Sequence, residues 1–318
     1  MRSYLEFEKP VADIEGKIHE LRDMAESDDT VDLSAEIARL EQKANETLAE
    51  LYSKLTPWHK TQIARHPDRP HFKDYIDAFI TDFTTLAGDR YFGDDEAVMA
   101  GFGRFDGESV AVIGHEKGSD TQTRLEHNFG MARPEGYRKA VRIMDLADRF
   151  DIPVITLVDT AGAYPGVGAE ERGQAEAIAR SIEKCLNLTV PIVSVITGEG
   201  GSGGAMAIAA ANRVYMLEHS IYSVASPEAA ASIVWRDASR AKDVATAMKI
   251  TAQDLQQLGV IDGIVDEPVG GAHRDPSVVT EGTAAIIRAA LEEMAGTDGK
   301  ELRTQRRDKF LAIGRNLT

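Results

Sequence analysis

The chain contains only one cysteine and no long apolar run. Cys185 is alone among 318 residues, which excludes an intrachain disulfide and any zinc site built on several cysteines. No stretch approaches the roughly 18 apolar residues that a membrane helix needs. The N-terminal segment MRSYLEFEKP lacks the basic and apolar regions of a secretory signal. We therefore expect a cytoplasmic protein without a membrane partner, in which Cys185 packs in the core.

Basic residues are also scarce. The chain has 36 Lys and Arg against 52 Asp and Glu, a formal net charge of −16 at pH 7. This balance argues against nucleic acid as a partner, because phosphate binding needs a positive field. Two segments, 133–142 and 300–315, are rich in Lys and Arg instead. Each is either a solvated helix face or a contact with an acidic partner.

The N-terminal part has the pattern of a helical hairpin. Between residues 10 and 55, apolar residues recur at spacings of three and four on both sides of the polar sequence ESDDT. This predicts two amphipathic helices, packed antiparallel. Such a thin hairpin needs a further surface, on the same chain or on a partner subunit. Residues 58–72 hold three histidines, but two prolines interrupt any helical metal-ligand spacing, so we expect no metal there.

The core is predicted to begin near Ala97. Two strand-like segments flank Asp106-Gly107, a typical hairpin turn pair. This mixture of a hairpin with later crossovers predicts an α/β fold. The later predicted elements are helices over 134–149, 169–186, about 227–235 and 251–258 and from Gly203, strands from 153 and 191 and over 213–217, 221–225 and 260–266, and two terminal helices.

Two glycine-rich turns dominate the middle of the chain. PVITLVDTAGAYPGVGAEE (153–171) and PIVSVITGEGGSGGAMAIAAA (191–211) each read as a buried strand, a glycine turn and a helix. Such turns let backbone N–H groups approach a negatively charged ligand. If the strands are neighbours, donors from both turns would converge on one oxygen as an oxyanion hole. Alternatively, the small residues only allow close helix packing. The candidate donors are Gly203, Gly204 and Ala205 on one side and Gly162 and Ala163 on the other.

The second turn also fits a dinucleotide-binding pattern. Gly198, Gly200 and Gly203 satisfy G-x-G-x-x-G, and Glu218 follows twenty residues after the first glycine. The unit starts late in the chain, however, behind elements that a mononucleotide fold does not require. A P-loop is excluded because no Gly-Lys-Ser/Thr follows these glycines.

A serine nucleophile is a further alternative. Ser202 stands in G-G-S-G-G, which satisfies the G-x-S-x-G pattern of a nucleophile elbow. A hydrolase would then need a downstream histidine, for which His219 and His273 are the only candidates. His273 would be oriented by Asp262 or Asp266.

Seven ordered segments carry a family resemblance: EKPVADIEGKIHEL, ARHPDRP, FGMARPEGYRKA, DTAGAYPGVGAEERGQAEAIA, GEGGSGGAMAI, YSVASPEAAASIVW and EPVGGAHRDP. From about residue 5 to about residue 310, the chain closely resembles the carboxyltransferase alpha subunit family of bacterial multisubunit acetyl-CoA carboxylase. Many relatives carry proline at the position of Ala161. The resemblance implies a crotonase-like (ClpP/crotonase) superhelix of ββα units. We expect a helical hairpin over 1–60, a connecting segment over 61–95, the carboxyltransferase core over 96–270 and a C-terminal helical extension over 271–318.

This resemblance implies a reaction as well. A carboxyl group passes from carboxybiotin, held on the biotin carboxyl carrier protein, to acetyl-CoA and gives malonyl-CoA, in the first committed step of fatty acid synthesis. The reaction produces an enolate and a ureido oxyanion, two negative oxygens that backbone donors stabilise. The ureido anion itself takes the methyl proton, which explains the lack of an obvious side-chain base.

The resemblance further implies partners. A zinc-ribbon beta subunit supplies most of the CoA site, and the alpha chain is active only with it. The expected assembly is a hetero-tetramer of two alpha and two beta subunits, completed by the ATP-binding biotin carboxylase. The segment 159–235 holds more acids than bases, a poor setting for CoA phosphates. A stand-alone crotonase-type hydratase or decarboxylase, or a noncatalytic scaffold, remains an alternative. This chain would bind no metal and would contact biotin through Gly200, Gly201, Tyr164, Pro165 and Gly166.

Overall fold

The computed structural model describes residues 3–27 and 32–315. Its α-helices are α1 Lys9–Ser27, α2 Ser34–Tyr52, α3 Pro57–Ala64, α4 Phe72–Phe79, α5 Thr121–Glu126, α6 Pro134–Arg149, α7 Val167–Glu171, α8 Gln174–Asn187, α9 Ser202–Ala209, α10 Pro227–Trp235, α11 Ala241–Ala247, α12 Ala252–Gln257, α13 Pro276–Met294 and α14 Gly299–Ala312. Its strands are β1 Thr81–Thr85, β2 Val98–Phe105, β3 Glu108–His115, β4 Val154–Thr160, β5 Ile192–Gly201, β6 Arg213–Leu217, β7 Ile221–Ser223 and β8 Gly263–Val265.

All eight of these strands join one mixed sheet. Its order is β1-β2-β3-β4-β5-β6-β8, and β7 pairs with the last residues of β5. The first three strands are antiparallel, and the others run parallel from β3 onward. The predicted α/β class is confirmed. Because β4 and β5 are parallel neighbours, their carboxyl ends lie at the same edge of the sheet.

The β2–β3 hairpin forms where the sequence predicts it. Phe105 pairs with Glu108, and the two residues between them have positive φ, 51° at Asp106 and 86° at Gly107. Two left-handed residues in a two-residue loop are typical of a type I′ turn, whose twist matches that of the strands.

Several predicted boundaries are wrong. The helix expected over 169–186 is two helices, because Gly173 has a φ of 83° and separates α7 from α8. The second glycine turn is shorter than expected, since β5 continues to Gly201 before the chain turns. The sequence patterns also miss β1, α4, α5 and α11, which are too short for a clear periodicity.

The sheet is covered on both faces. Val154 and Val158 of β4 join the core beneath α6, α8 and α9, whereas Ile155 and Leu157 face the core beneath α4 and α13. A strand buried on both sides needs apolar residues at every position, which explains the continuous run in the sequence. Cys185 lies in the first core, and burial raises the pKa of its thiol to about 12, so its predicted packing role is confirmed.

The N-terminal hairpin packs on its own chain. The Tyr52 hydroxyl, at the end of α2, lies 2.9 Å from both a Glu8 carboxylate oxygen and the Gly270 carbonyl. Arg274 pairs with Glu15 of α1 at 2.8 Å. The end of α2 thus lies near the start of α1, and Arg22 late in α1 pairs with Glu41 in the middle of α2 at 2.5 Å, so the two helices run antiparallel, as predicted. The residues 28–31, which include part of the predicted polar break, lie outside the described residues.

The two basic segments are largely engaged within the chain. Lys139 pairs with Asp94 at 2.5 Å. Arg306 is fully buried and donates to carbonyl oxygens at the end of α8 and the start of β5. Lys309 pairs with Asp262. These three residues serve internal ion pairs and hydrogen bonds. Lys300, Arg303 and Arg307 are exposed, so a solvated helix face describes that part of the C-terminal segment.

The described residues contain neither a membrane-spanning helix nor a cluster of metal ligands. No helix in this part of the chain has the length and apolar character required to cross a membrane. Within the same residues, no three His, Cys, Asp or Glu side chains lie together as ligands for a metal ion.

Candidate active site

The two glycine turns lie side by side at the carboxyl ends of β4 and β5. The strands pair regularly up to Val158 and Ile196, and the next pair is Thr160 with Gly200. The strand β5 therefore carries two more residues than β4 in this interval, which makes a bulge opposite Asp159. The two strands are parallel neighbours, as convergence of the two turns requires, so this condition is confirmed.

The turns touch so closely that side chains are excluded. A Cβ on Gly201 would lie 2.1 Å from the carbonyl oxygen of Ala161. A Cβ on Gly204 would lie 2.7 Å from the nitrogen of Ala163 and 3.0 Å from the hydroxyl of Tyr137. Both glycines are therefore required by close approach of two backbones. The N-terminus of α9 is held directly against the first turn.

Three backbone donors are available at this point. The helix α9 begins at Ser202, whose φ of 53° makes a sharp turn out of β5. The first N–H groups of a helix, here those of Ser202, Gly203 and Gly204, have no partner inside the helix, and the N-cap residue Gly201 has no side chain to bind them. Ala205 is different, because its N–H is the first to bond within the helix. The role of Ala205 as a donor stays a prediction, and the geometry favours Gly203 and Gly204 over it.

The first turn contributes fewer donors than expected. The N–H of Gly162 donates to the Thr160 hydroxyl at 3.1 Å, and that hydroxyl donates to the Gly162 carbonyl at 2.8 Å. These two hydrogen bonds engage the N–H of Gly162, which is therefore not free to bind a ligand oxygen. Ala163 lies against Gly204 and is the remaining candidate donor of this turn.

Tyr164 forms a platform beside the turn. Its N–H donates to the carbonyl of Ala132 at 2.9 Å, and its ring lies 4.8 Å below the guanidinium of Arg133. Gly166 is required here, since a Cβ would lie 2.2 Å from the Tyr164 ring, and Pro165 between them is exposed. No sequence motif marks Arg133 as a site residue, although it begins the basic segment 133–142. A cation stacked on an aromatic side chain is stabilised by the ring quadrupole.

Gly200 and Gly201 lie inside β5 and not in a loop. They are buried and pair with Tyr222 and Ser223 of β7. Their place in the strand does not test contact with biotin, which stays a prediction. The dinucleotide hypothesis fails, because Gly198 is also a strand residue and the G-x-G-x-x-G pattern requires a loop.

A serine-hydrolase triad is not assembled. Ser202 does have the strained conformation of a nucleophile elbow. However, His219 lies against the N-terminal hairpin, and His273 stacks on a second imidazole with ring centroids 3.7 Å apart. Asp262 binds Lys309. Each of these proposed partners is engaged elsewhere, so this alternative is wrong.

A buried carboxylate fixes the two strands to each other. Asp159 accepts the N–H of Glu199 at 2.8 Å and binds the Lys117 ammonium at 2.6 Å. Burial acts to raise the pKa of Asp159, but Lys117 and the neighbouring His71 hold it well below its ordinary value. Gly198 has no side chain because a Cβ would lie 2.5 Å from this carboxylate. A negative group therefore stands where a nucleotide pyrophosphate would have to bind.

Glu199 extends this network to the surrounding helices. It binds Arg65, at the end of α3, at 2.6 Å, and Arg65 also binds Glu228 of α10 at 2.6 Å. Burial lowers the pKa of Arg65, but the two carboxylates together raise it above its ordinary value. The strand β5 is thereby tied to α3 and α10, which are far apart in sequence.

Comparison with known proteins identifies relatives over the full length. Residues 4–314 match the family model described as acetyl co-enzyme A carboxylase carboxyltransferase-like. Proteins named acetyl-coenzyme A carboxylase carboxyl transferase subunit alpha are similar over all of both chains, with 65% identity in Rhizobium rhizogenes strain K84 and 68% in Chelativorans sp. strain BNC1.

Two solved structures share the fold. A transcarboxylase 12S structure has a TM-score of 0.58 and 21% identity, over 71% of this chain and 42% of that one. A Pseudomonas malonate decarboxylase hetero-tetramer with coenzyme A has a TM-score of 0.59 and 17% identity, over 73% of this chain and 90% of the other. At these identities the likeness concerns the fold alone, which is crotonase-like.

Proposed function

The chain belongs to the acetyl-CoA carboxylase carboxyltransferase family as an alpha subunit, and from this premise we propose that its glycine turns form the carboxyl-donor half of a shared active site. One observation carries the proposal: the N-terminus of α9 meets the first turn, where the N–H groups of Gly203 and Gly204 have no partner inside the helix and no side-chain cap. Uncharged donors at a helix N-terminus stabilise an oxygen on which negative charge develops. Removing one such donor typically costs about 3 to 4 kcal/mol of transition-state stabilisation.

The surroundings of the donors fit the ureido ring of biotin. When bound, biotin supplies the carboxyl group that is transferred. Gly203 and Gly204 would hold its ring oxygen, with Ala163 as a possible further donor from the first turn. Tyr164, fixed by Arg133, would form an apolar wall for the ring. The chain itself then contributes orientation and charge stabilisation and needs no side-chain base.

We further propose the assembly in which this half-site works. A zinc-ribbon beta subunit holds most of acetyl-CoA, the biotin carboxyl carrier protein presents carboxybiotin, and biotin carboxylase reloads it. Two alpha and two beta subunits form the cytoplasmic transferase. The division into the hairpin 1–60, the connecting segment 61–95, the core 96–270 and the extension 271–318 is part of this proposal.

Malonyl-CoA decarboxylation in the presence of biocytin tests the proposal. The full chain is purified alone and together with a zinc-ribbon beta subunit, and decarboxylation is followed for each preparation. We expect activity only in the mixture, because each subunit supplies one half of the site. Activity of the chain alone would indicate a stand-alone hydratase or decarboxylase instead.

A second comparison separates a catalytic subunit from a scaffold. Gly203→Pro removes one backbone N–H donor in the first turn of α9. Proline is tolerated in the first turn of a helix, because the N–H groups there make no hydrogen bond within the helix. We expect turnover of the mixture to fall by about 10²- to 10³-fold. Co-purification with the beta subunit controls for assembly. Full turnover of the assembled variant would contradict a catalytic role of this donor.

A further inference from the structure

A cavity of about 230 Å³ lies beside the first glycine turn. Its wall combines the loop after α3, the segment that precedes and begins α5, and the carboxyl ends of β4 and β5. We call it the basic pocket. Its charged or titratable lining includes Arg65, His71, Lys117, Arg124, Asp159 and Glu199.

One cation of the basic pocket stands apart from its ion pairs. Glu199 is bound by Arg65 and Asp159 by Lys117, each at 2.6 Å. Arg124 is left over. Its guanidinium donates only to the carbonyl oxygens of Gly118 and Pro67, both at 3.4 Å, and it forms no ion pair within residues 3–27 and 32–315. Arg124 is therefore the cation of the pocket wall that no carboxylate of the described residues pairs with.

The pocket also contains a buried imidazole that lacks a hydrogen bond. His71 is 9% exposed, and neither of its ring nitrogens has a hydrogen-bond partner in the described part of the chain. The Asp159 carboxylate is the nearest acid, with Oδ2 at 3.9 Å from Nδ1. A buried polar group without a partner costs free energy, so an acceptor in the pocket would satisfy it.

Size limits the class of ligand. A volume of 230 Å³ is below the 300 to 1,000 Å³ typical of pockets for drug-sized molecules. It holds roughly seven waters at about 30 Å³ each. A phosphate, bicarbonate or malonate ion is small enough, whereas a whole coenzyme A is not.

We propose that the basic pocket binds a small oxyanion, with Arg124 as its principal cation and the His71 imidazole as an N–H donor. This site is separate from the donors of α9 and goes beyond the proposed function. The shared chemistry is a compact anion with two or more oxygens. Phosphate, bicarbonate and malonate are the alternative ligands of this kind. Arginine presents paired donors that suit such oxygens.

Binding to the full-length chain alone, without beta subunit, biotin or CoA, tests the proposal independently of carboxyl transfer. Phosphate, bicarbonate and malonate are each titrated at low ionic strength by calorimetry. We expect saturable binding of at least one, and the tightest identifies the source. Arg124→Gln should weaken it about ten-fold or more, because a charge-assisted hydrogen bond is lost.

Arg104→Gln is the matched control. It makes the same change of charge at the far end of the β2–β3 hairpin, where Arg104 donates to the Gly107 carbonyl. This variant should bind the anion as the unaltered chain does. Equal loss of anion affinity in both variants would mean that the anion responds only to the net charge of the chain, which would overturn the proposal. A lack of saturable binding of all three anions would overturn it as well. His71→Asn, which keeps a polar side chain, should give an intermediate affinity. An unchanged affinity would remove His71 from the proposed site.

Discussion

Glycine in the candidate site is required by what lies opposite it. Gly198 faces the Asp159 carboxylate, Gly201 faces the Ala161 carbonyl, and Gly204 faces the Ala163 nitrogen. The first of these contacts is electrostatic as well as steric. Because Gly198 has no side chain, the Asp159 carboxylate of β4 can accept a hydrogen bond from the N–H of Glu199 in β5. A glycine-rich sequence that fits several motifs is therefore read correctly only from the atoms around each glycine.

Gly204→Ala should disturb the site directly. Its methyl group would lie 2.7 Å from a backbone nitrogen that cannot move without the whole first turn. We expect carboxyl transfer by the alpha–beta mixture to fall more than ten-fold, and the unfolding free energy to fall by about 1 to 3 kcal/mol. Gly16→Ala is the control, because that helical position is open and Ala there should be neutral or stabilising. Full activity of Gly204→Ala would contradict the close approach of the turns.

Individual elements are fixed by a few polar anchors. The hairpin α1–α2 is joined to the rest of the chain through the Tyr52 hydroxyl, and α14 is joined through Arg306. Both anchors bind backbone carbonyl oxygens that no neighbouring strand or helix satisfies. Such groups must be paired when they are buried, so the anchors contribute more than surface ion pairs do.

Tyr52→Phe should loosen the N-terminal hairpin without unfolding the sheet. The change removes the hydroxyl that contacts Glu8 and Gly270 and keeps the ring. We expect a loss of about 1 to 2 kcal/mol, seen as faster amide hydrogen exchange in α1 and α2 only. Tyr91→Phe, at an 86% exposed position, should leave exchange unaltered. Uniform acceleration throughout the sheet would instead indicate that the hairpin is part of the global folding unit.

Arg306→Met should destabilise the chain strongly. The guanidinium donates to the carbonyls of Cys185, Leu188 and Val190, all of which would be left buried and unpaired. We expect a loss of at least about 3 kcal/mol in urea unfolding. Arg303→Met, one turn earlier on the exposed side of α14, is the control and should change stability by less than about 0.5 kcal/mol. Equal losses in the two variants would refute the anchoring role.

At the scale of the whole molecule, the fold gathers charges from distant parts of the chain. The segment 159–235 is acidic and was judged a poor setting for phosphates. The basic pocket nevertheless borders it, because Arg65, Lys117 and Arg124 come from outside that segment. The same fold buries His115 completely, with neither ring nitrogen hydrogen-bonded among the described residues. Such a histidine links global stability to pH.

Stability should therefore fall as the pH drops below about 6.5. Burial lowers the pKa of His115 to about 4, so between these values the unfolded chain binds a proton that the folded chain does not. A difference of about 2.5 units corresponds to about 3 kcal/mol lost between pH 6.5 and pH 4. His115→Leu should make the unfolding free energy less dependent on pH in this window. An unchanged slope in urea titrations would exclude His115 as its source.

The sequence by itself determined the α/β class, the hairpin turn at Asp106-Gly107, the existence of two glycine turns and the family. These features depend on local φ preferences, on periodic burial and on long ordered segments, all of which can be read along the chain. The tertiary structure alone decided that the N–H groups of Gly162 and Ala205 are engaged within their own turn and helix. It also decided that Arg133 stacks on Tyr164 and that three distant cations line one pocket. The physical reason is that hydrogen-bond partners and charge balance depend on register and packing between residues far apart in sequence, which local patterns do not encode.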